Sequence, residues 1–358
     1  MTDFTVTLDA DTRAAPSAKI EQSRVAVVVP VLNEERYIRA CLSSLLPQAE
    51  AIGAAIIVVD GGSTDSTVAI VREIAATGAD VSVLHNPRRL QSAAMNLAAR
   101  EAAPGIDTLV RADAHALYPP DFLRLCVEAL HAREATSVVV PMRTVGPTGM
   151  QRAIAEVQNS RFGNGGSAHR VGGQSGFVEH GHHAAFDRDF FLSIGGYDEG
   201  FSHNEDAEHD VRAHQAGGRI WMCREATIDY LPRSSLQPLA RQYYRHGRGR
   251  MQTLLRHRLR PRPRQMAAPV ILLASISAVM MLPVSFWFGL IPLAYIATCL
   301  LWAVNACACA RDLALLRMAP AVMTVHLSWG AGFLSRLLVR PERKQAVVPV
   351  LTPFAARP

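Results

Sequence analysis

Three patterns of apolar residues follow one another along the chain. In the first part, compact aliphatic runs at 25–29, 55–59, 81–84, 108–111 and 137–140 alternate with stretches whose apolar positions recur at helical spacing, as Ile38, Leu42 and Leu45 do. An unbroken β-branched run suits a strand covered on both faces, and the wider spacing suits a helix laid on such a sheet. Asn33 and Glu34 open the first helix in this reading. The second runs through Ile74 with Ser63 or Thr64 as its cap, and further helices are expected at 91–100 and 119–130. The alternation predicts an α/β fold on a mainly parallel sheet, where ligands bind outside the carboxyl ends of strands. Asn33, Asp60 and Asp113 all stand at such ends.

The second pattern is irregular. Glycines at 163, 165, 166, 172, 173, 176 and 181 recur without a period, which reads as a mobile segment or lid. His180, His182 and His183 lie close by. Lacking a second ligand pair at helical spacing, they read as pocket-lining or surface residues rather than as a zinc site. A helix at 207–216 is closed by Gly217-Gly218, and strands follow at 220–223 and 226–230. The third pattern is long and apolar. Residues 267–288 and 290–310 carry no charge, and each is about the length that spans a bilayer. Gly289 between them and Pro292 early in the second leave little room for a loop, so they form a tight hairpin or a re-entrant pair. Residues 313–338 contain Arg317 and His326, and either span or lie in the interface.

Charge alters this picture at one place. The formal charge of +6 on 358 residues is modest, but Arg245, Arg248, Arg250, Arg256, Arg258, Arg260, Arg262 and Arg264 crowd together just before the apolar tract. So placed, they point to an anionic membrane surface and a cytoplasmic flank, not to nucleic acid. Leu236, Leu239, Tyr243, Leu254, Leu255 and Leu259 among them suggest an amphipathic helix lying on the bilayer. Arg336, Arg340, Arg343 and Lys344 make the far end basic too, which fits an even number of spans. The six cysteines are scattered among apolar neighbours, as in a reduced compartment, and the first residues lack the apolar core of a signal peptide.

The candidate chemistry centres on Leu109-Val-Arg-Ala-Asp-Ala-His115. An apolar strand there runs into a carboxylate and an imidazole one residue apart, and the period of a strand puts both on one side, a seat for a divalent cation. Alone, Asp113 would more often be a turn residue, and Asp206 a helix cap with Glu205 as a first-turn acid. Their company decides. Pro30-Val-Leu-Asn-Glu34, Val59-Asp-Gly-Gly-Ser-Thr-Asp65, Arg111-Ala-Asp-Ala-His115, Gly195-Gly-Tyr-Asp-Glu199 and Glu205-Asp206, in this order, resemble the inverting family 2 glycosyltransferases over about residues 24–250. Asp113-Ala-His115, Asn86-Pro-Arg-Arg-Leu-Gln-Ser-Ala-Ala-Met-Asn96, and Tyr230-Leu-Pro-Arg-Ser-Ser235 leading to Gln242-Tyr-Tyr-Arg245 are most similar to the succinoglycan-type glucosyltransferases of exopolysaccharide assembly.

The resemblance implies a GT-A fold, α/β and Rossmann-like with a mostly parallel sheet, followed by a helical membrane region. The expected organisation is a disordered tail at 1–23, the GT-A domain at 24–235, a basic amphipathic segment at 236–266, membrane helices at 267–338 and a tail at 339–358. Pro30, Asn33, Glu34, Asp60, Gly61, Arg89, Asn96, Arg111 and Asp113 would form the nucleotide-sugar site, Asp60 at the uracil or ribose. Asp113 would hold a divalent cation, Mn2+ or Mg2+, that bridges the diphosphate, and Asp206 would be the catalytic base. His115 takes the second place of the family's D-x-D. Imidazole is softer than carboxylate and favours manganese, unless His115 touches phosphate or stays off the metal. Glu205, Arg233, Gln242 and Arg245 are candidates for diphosphate or acceptor contacts; for the last three a solvated or membrane-facing role is an equal alternative. Asp65 reads as a helix-start acid. His246 follows Arg245 where processive synthases have Trp, which argues for addition of a single sugar.

These parts answer a physical need. Transfer from a nucleotide sugar passes through an oxocarbenium-like state and expels a diphosphate, whose growing charge a metal neutralises. A carboxylate on the opposite face takes the acceptor proton, and a helix N-terminus keeps it ionised. The implied donor is UDP-glucose. The apolar tract suggests a polyprenyl-diphosphate-linked glycan as acceptor, met among membrane lipids on the cytoplasmic face of the plasma (inner) membrane. A sugar nucleotidyltransferase would need a basic Gly-rich loop where Val31-Leu-Asn-Glu-Glu35 stands. A non-catalytic scaffold of a polysaccharide assembly would not need both Asp113 and Asp206.

Overall fold

The computed structural model describes residues 24–338 apart from 148, 168–169, 171–173 and 202; both expected tails lie outside the described residues. The first half alternates as its pattern predicts: β1 Val25–Val31, α1 Ile38–Ile52, β2 Ala55–Asp60, α2 Thr67–Ala75, β3 Val81–His85, α3 Gln91–Glu101, β4 Thr108–Arg111, β5 Ala116–Leu117, α4 Phe122–Ala132 and β6 Ser137–Val140. Strands β3, β2, β1 and β4 lie side by side in parallel. The unbroken apolar run of β1 has a simple cause. Val25, Val27, Val29 and Val31 pack with Ile38, Leu42 and Leu45, while Ala26 and Val28 pack with Met95 and Ala98 on the other face. A strand sandwiched in this way has no polar side to show.

Helix α1 starts at Ile38 rather than at Asn33. Asn33 takes a left-handed φ of 58°, and the turn after it is closed by Tyr37 and Ile38 N–H groups donating to Glu34 O. Neither Ser63 nor Thr64 caps α2. Ser63 Oγ instead accepts from Asn33 N (2.9 Å), and Asn33 Oδ1 accepts from Thr64 N (2.8 Å), so the two strand-end loops are stitched together. Asp65 accepts from the N–H groups of Thr67 (3.0 Å) and Glu35 (3.1 Å), the helix-start part expected of it.

Beyond β6 come β7 Met142–Thr144, α5 Gly149–Asn159, α6 Arg161–Asn164, β8 Gly176–Phe177, β9 His182–Asp187, α7 Arg188–Ser193, α8 Glu205–Gln215, β10 Ile220–Met222 and β11 Ile228–Tyr230. The large sheet runs β3-β2-β1-β4-β9-β6-β10-β8, and a small one runs β5-β11-β7. β9 is the chief departure from the sequence pattern. It lies between β4 and β6, antiparallel to both, although its first two residues are histidines behind a glycine-rich stretch. Two distant neighbours fix it, and His183 is buried there by hydrogen bonding rather than by apolarity.

The C-terminal part is helical: α9 Leu236–Arg256, α10 Pro263–Met280, α11 Leu290–Ala310 and α12 Met318–Leu338. The apolar stripe of α9 is divided: Leu239 and Leu254 are buried, with Gly247 and Thr253, and α12 packs along the helix, while Leu255, and Leu259 just beyond it, are exposed. A Cβ on Gly247 would stand 2.1 Å from Trp329 O, and one on Gly332 would stand 1.9 Å from Tyr244 O. These two glycines set how close the helices come. Two segments have the length and composition to cross a membrane, Pro263–Met280 and Phe286–Ala310, with mean hydropathy 1.3 and 1.8 and only 11% of each buried. α12 differs: Met318, Ala319, Ala321, Val322, Val325 and Phe333 are buried against α9, α5, α10 and α11.

Candidate active site

The carboxyl end of β4 with the residues after it, the start of α3, the start of α8 and one side of α9 line a cavity of about 860 Å³. Its inner wall holds Arg111, Asp113, His115, Glu205 and Asp206; its outer wall includes Ala267, Ile271, Val325 and Trp329 from α10 and α12. One cavity therefore joins the strand ends to the helices that carry the apolar tract.

Arg111, the last residue of β4, organises the inner wall. Its Nε donates to Asp113 Oδ1 (3.2 Å), and its Nη1 donates to Asp206 Oδ1 (2.7 Å) and to the Tyr197 hydroxyl (3.2 Å). The guanidinium is 5% exposed, so these pairs act in a weakly screened setting. Burial alone would raise the Asp113 carboxyl, but Arg111 first, then His182 and His115, bring it down to about 2. Asp206 behaves alike: burial raises it, and Arg111 and His183 outweigh burial and hold it well below the usual carboxylate range. Its neighbour Glu205 goes the other way, pushed up to about 7 by burial and by the charge of Asp206. Of these two adjacent buried acids Asp206 ionises first, and its charge opposes ionisation of Glu205.

Asp206 sits in the first turn of α8, as its sequence position implies. Arg111, the Tyr197 hydroxyl (3.1 Å) and His183 Nδ1 (3.4 Å) all face its Oδ1. Among the described residues no hydrogen-bond donor lies against Oδ2, and the side chain lines the cavity. Asp113 is held on Oδ1 by Gln91 Nε2 (2.7 Å) as well as by Arg111, while its Oδ2 lies 3.6 Å from His182 Nε2. His182, pushed down to about 4 chiefly by burial, is a neutral ring at pH 7. Asp113 thus keeps an oxygen on the cavity wall free of strong donors, which fits a divalent cation. His115 lines the same wall, and its Nδ1 lies 3.5 Å from Oε1 of Glu34 behind it. His183, His209 and Asp210 also come within 4.8 Å of one another, close enough to share an ion. Here, however, the Asp210 oxygens already meet His183 and His180, and the His209 ring is packed among Phe186, Phe191 and Tyr197.

Comparison with known proteins fits this arrangement. Residues 26–195 match Glycosyl transferase family 2. The chain is 42% identical over 323 residues, 90% of its length and 97% of the relative's, to the succinoglycan biosynthesis protein ExoA of Rhizobium meliloti (strain 1021). The chain belongs to glycosyl transferase family 2. A shorter similarity, 35% over 123 residues covering 33% of the chain and 36% of the relative, links this family member to the undecaprenyl-phosphate 4-deoxy-4-formamido-L-arabinose transferase of Aeromonas hydrophila. Among solved structures, the mannosyltransferase PcManGT from Pyrobaculum calidifontis, in complex with GDP-Man and Mn2+, aligns over 88% of this chain and 87% of its own, with TM-score 0.54 at 21% identity. The GT-A fold is shared.

For this family 2 transferase, the residues expected from sequence divide in two. Arg111, Asp113, His115, Glu205, Asp206, Arg233, Gln242 and Arg245 converge on the cavity. Pro30, Asn33, Glu34, Asp60, Gly61, Arg89 and Asn96 are not on its wall. Asp60 accepts from Gly62 N (3.0 Å) and Ser63 N (3.0 Å), and so shapes the turn after β2. Asn96 is buried, and its amide clamps Tyr197, whose N–H donates to Oδ1 (2.8 Å) and whose carbonyl accepts from Nδ2 (2.9 Å). Arg89, with φ 56°, lies beside Gly62. Sequence reasoning missed Gln91, Tyr197 and the part played by His183. Tyr197 was legible in the Gly195-Gly-Tyr stretch; the two others depend on pairings that only the fold creates. Of the histidine trio, His180 and His182 do line a polar pocket.

Proposed function

We propose that the protein is a membrane-anchored inverting glycosyltransferase that moves one hexose, glucose from UDP-glucose, to a polyprenyl-diphosphate-linked glycan during exopolysaccharide or other cell-surface polysaccharide biosynthesis. The observation that carries this reading is the cavity itself. It has Asp113 and Asp206 at one end, bridged by Arg111, and apolar residues of α10 and α12 at the other. A soluble sugar acceptor needs no such second wall, whereas a lipid-linked one brings both a glycan and an apolar tail.

In this reading the donor diphosphate lies at Asp113. A divalent cation bound there would supply Lewis-acid stabilisation of the leaving diphosphate. Asp206 takes the acceptor hydroxyl proton on Oδ2 as the new C–O bond forms at the anomeric carbon and the bond to phosphate breaks, with its electron pair leaving on the diphosphate. Attack from the face opposite the leaving group inverts the configuration. Arg233, Gln242 and Arg245 lie where acceptor phosphates would pass, and the arginines offer charge-assisted hydrogen bonds. Two relatives support the reading: PcManGT binds GDP-Man with Mn2+, and the Aeromonas transferase acts on undecaprenyl phosphate by name. With positive charge flanking the apolar tract, the catalytic domain faces the cytoplasm at the inner membrane.

The test is nucleotide release by the full chain in membranes, from a panel of UDP-, GDP- and dTDP-sugars, with and without Mn2+ and with lipid-linked or short-chain glycan acceptors. Metal-dependent turnover of one donor, lost in both Asp113→Asn and Asp206→Asn, is the expected result. Equal turnover of water-soluble and lipid-linked acceptors would sink the membrane part of the proposal. A chain that binds no nucleotide sugar by calorimetry would sink the rest.

A further inference from the structure

Behind Asp206 runs a chain of hydrogen bonds that the transfer reaction as described does not use. His183 Nδ1 lies 2.8 Å from the Tyr197 hydroxyl, and that hydroxyl donates to Asp206 Oδ1 (3.1 Å). On its other side His183 Nε2 meets Asp210 Oδ1 (2.7 Å), and Asp210 Oδ2 meets His180 Nδ1 (2.6 Å), on a residue of the cavity wall. The His183 and Asp210 side chains are 0% and 2% exposed. Such a pair persists in a core only if its hydrogen bonds are complete.

The donor count explains what the pair does. The Tyr197 hydroxyl has one proton, and the ionised Asp206 carboxylate at 3.1 Å, which can only accept, is the partner that requires it. The hydroxyl oxygen then accepts from Arg111 and from His183 Nδ1–H, while His183 Nε2–H donates to Asp210. With the Tyr197 proton on Asp206, both ring nitrogens carry protons and His183 is an imidazolium. If Nδ1 loses its proton, it becomes an acceptor, and the Tyr197 proton can turn away from Asp206 towards it.

We propose that His183, braced by Asp210 and acting through the Tyr197 hydroxyl, is a positioning residue that holds Oδ1 of Asp206 so that Oδ2 is presented to the acceptor hydroxyl. The proposal deepens the glycosyltransferase reading and rests on it for the identity of the reaction. The charged and titratable groups facing His183 are Asp206, His209 and Asp210 from α8, Arg111 from β4, Tyr197 from the loop after α7, and His180 and His182 from its own strand and the residues before it; Arg250 of α9 acts on Asp210. Burial disfavours the imidazolium, but Asp210 and then Asp206 outweigh burial and raise His183 to about 9, in agreement with the donor count. Transfer should therefore fall on the alkaline side as this proton is lost.

The experiment compares the full chain in detergent micelles with its Asp210→Asn and Tyr197→Phe variants, with melting temperature as a check on folding. Two quantities are read: the pH profile of nucleotide release, and the His183 ring state by 15N-histidine spectra. Asp210→Asn should shift the alkaline limb and the His183 titration to lower pH together, by one unit or more. It should cut kcat at least tenfold at pH 8.5 and leave the donor KM within twofold. Tyr197→Phe keeps the His183–Asp210 pair, so it should lower kcat without moving the His183 titration. A neutral His183 at pH 7 in the unmodified chain, or a folded Asp210→Asn variant with unaltered kcat and alkaline limb, would overturn the proposal. If the unmodified chain turns over no nucleotide sugar, the function reading fails, and the 15N titration still decides the state of His183.

Discussion

The guanidinium of Arg111 stands between two carboxylates that belong to different motifs, one at the end of β4 and one at the start of α8. No shorter or single-pronged cation reaches Asp113, Tyr197 and Asp206 from one position. Arg111→Lys should therefore lower stability by about 3 kcal/mol, the low end for breaking a buried pair, and remove most of the transfer. Urea unfolding and turnover measure the two effects. A second residue-scale constraint lies at Gly196. Its φ is 64°, and a Cβ there would meet Asn96 Oδ1 at 2.2 Å. Gly196→Ala has to displace the clamp that seats Tyr197, so both melting temperature and kcat should fall. A variant with unchanged melting temperature would show that the loop relaxes freely.

At the scale of elements, α8 is tied on both sides. Glu208 takes Arg212 (2.7 Å) within the helix and His257 (3.0 Å) just past the end of α9, while Arg212 also donates to the carbonyls of Ile194 and Gly196. Burial would raise the Glu208 carboxyl, yet the hydrogen bonds from His257 and Arg212 bring it down to about 2. A carboxyl lowered on folding stabilises the protein above its unfolded pKa, and the gain is lost as pH falls through the folded value. From this group about 3 kcal/mol should disappear between pH 5 and pH 2. Chemical denaturation across that range measures it. In Glu208→Gln the acid-side slope should flatten, and an identical slope would show that the loss comes from elsewhere.

For the whole molecule, the contact of α9 with α12 joins the sheet domain to the apolar helices. The close approach at Gly247 and Gly332 leaves no room for a side chain. Gly332→Leu should separate the two helices, lower the melting temperature and weaken nucleotide release. Donor binding at Asp113 should survive, because that wall is built from β4, the residues after it and α3. The two exposed apolar helices predict that the full chain floats with lipid vesicles and stays there in high salt, since burial of apolar area, unlike attraction to headgroups, is not screened. Release by salt alone would mean that the arginines, not α10 and α11, hold it to the surface.

Local chemistry by itself determined the parallel strands, the helices between them, the two uncharged tracts and the motif residues Asp113 and Asp206. Each of these is written in neighbouring residues: a β-branched run, a helical period, the absence of charge, a carboxylate after a strand. Tertiary structure decided the rest. β9 exists because β4 and β6 flank it, and its histidines gave no local sign of a strand. Asn96 sits in a stretch that resembles a sugar-nucleotide site, yet its amide is drawn to the backbone of Tyr197 far along the chain. α9 carries one apolar stripe, yet Leu239 is buried in the cluster that α12 builds while Leu255 stays exposed. In each case periodicity records that a face is buried, while only the fold determines what buries it.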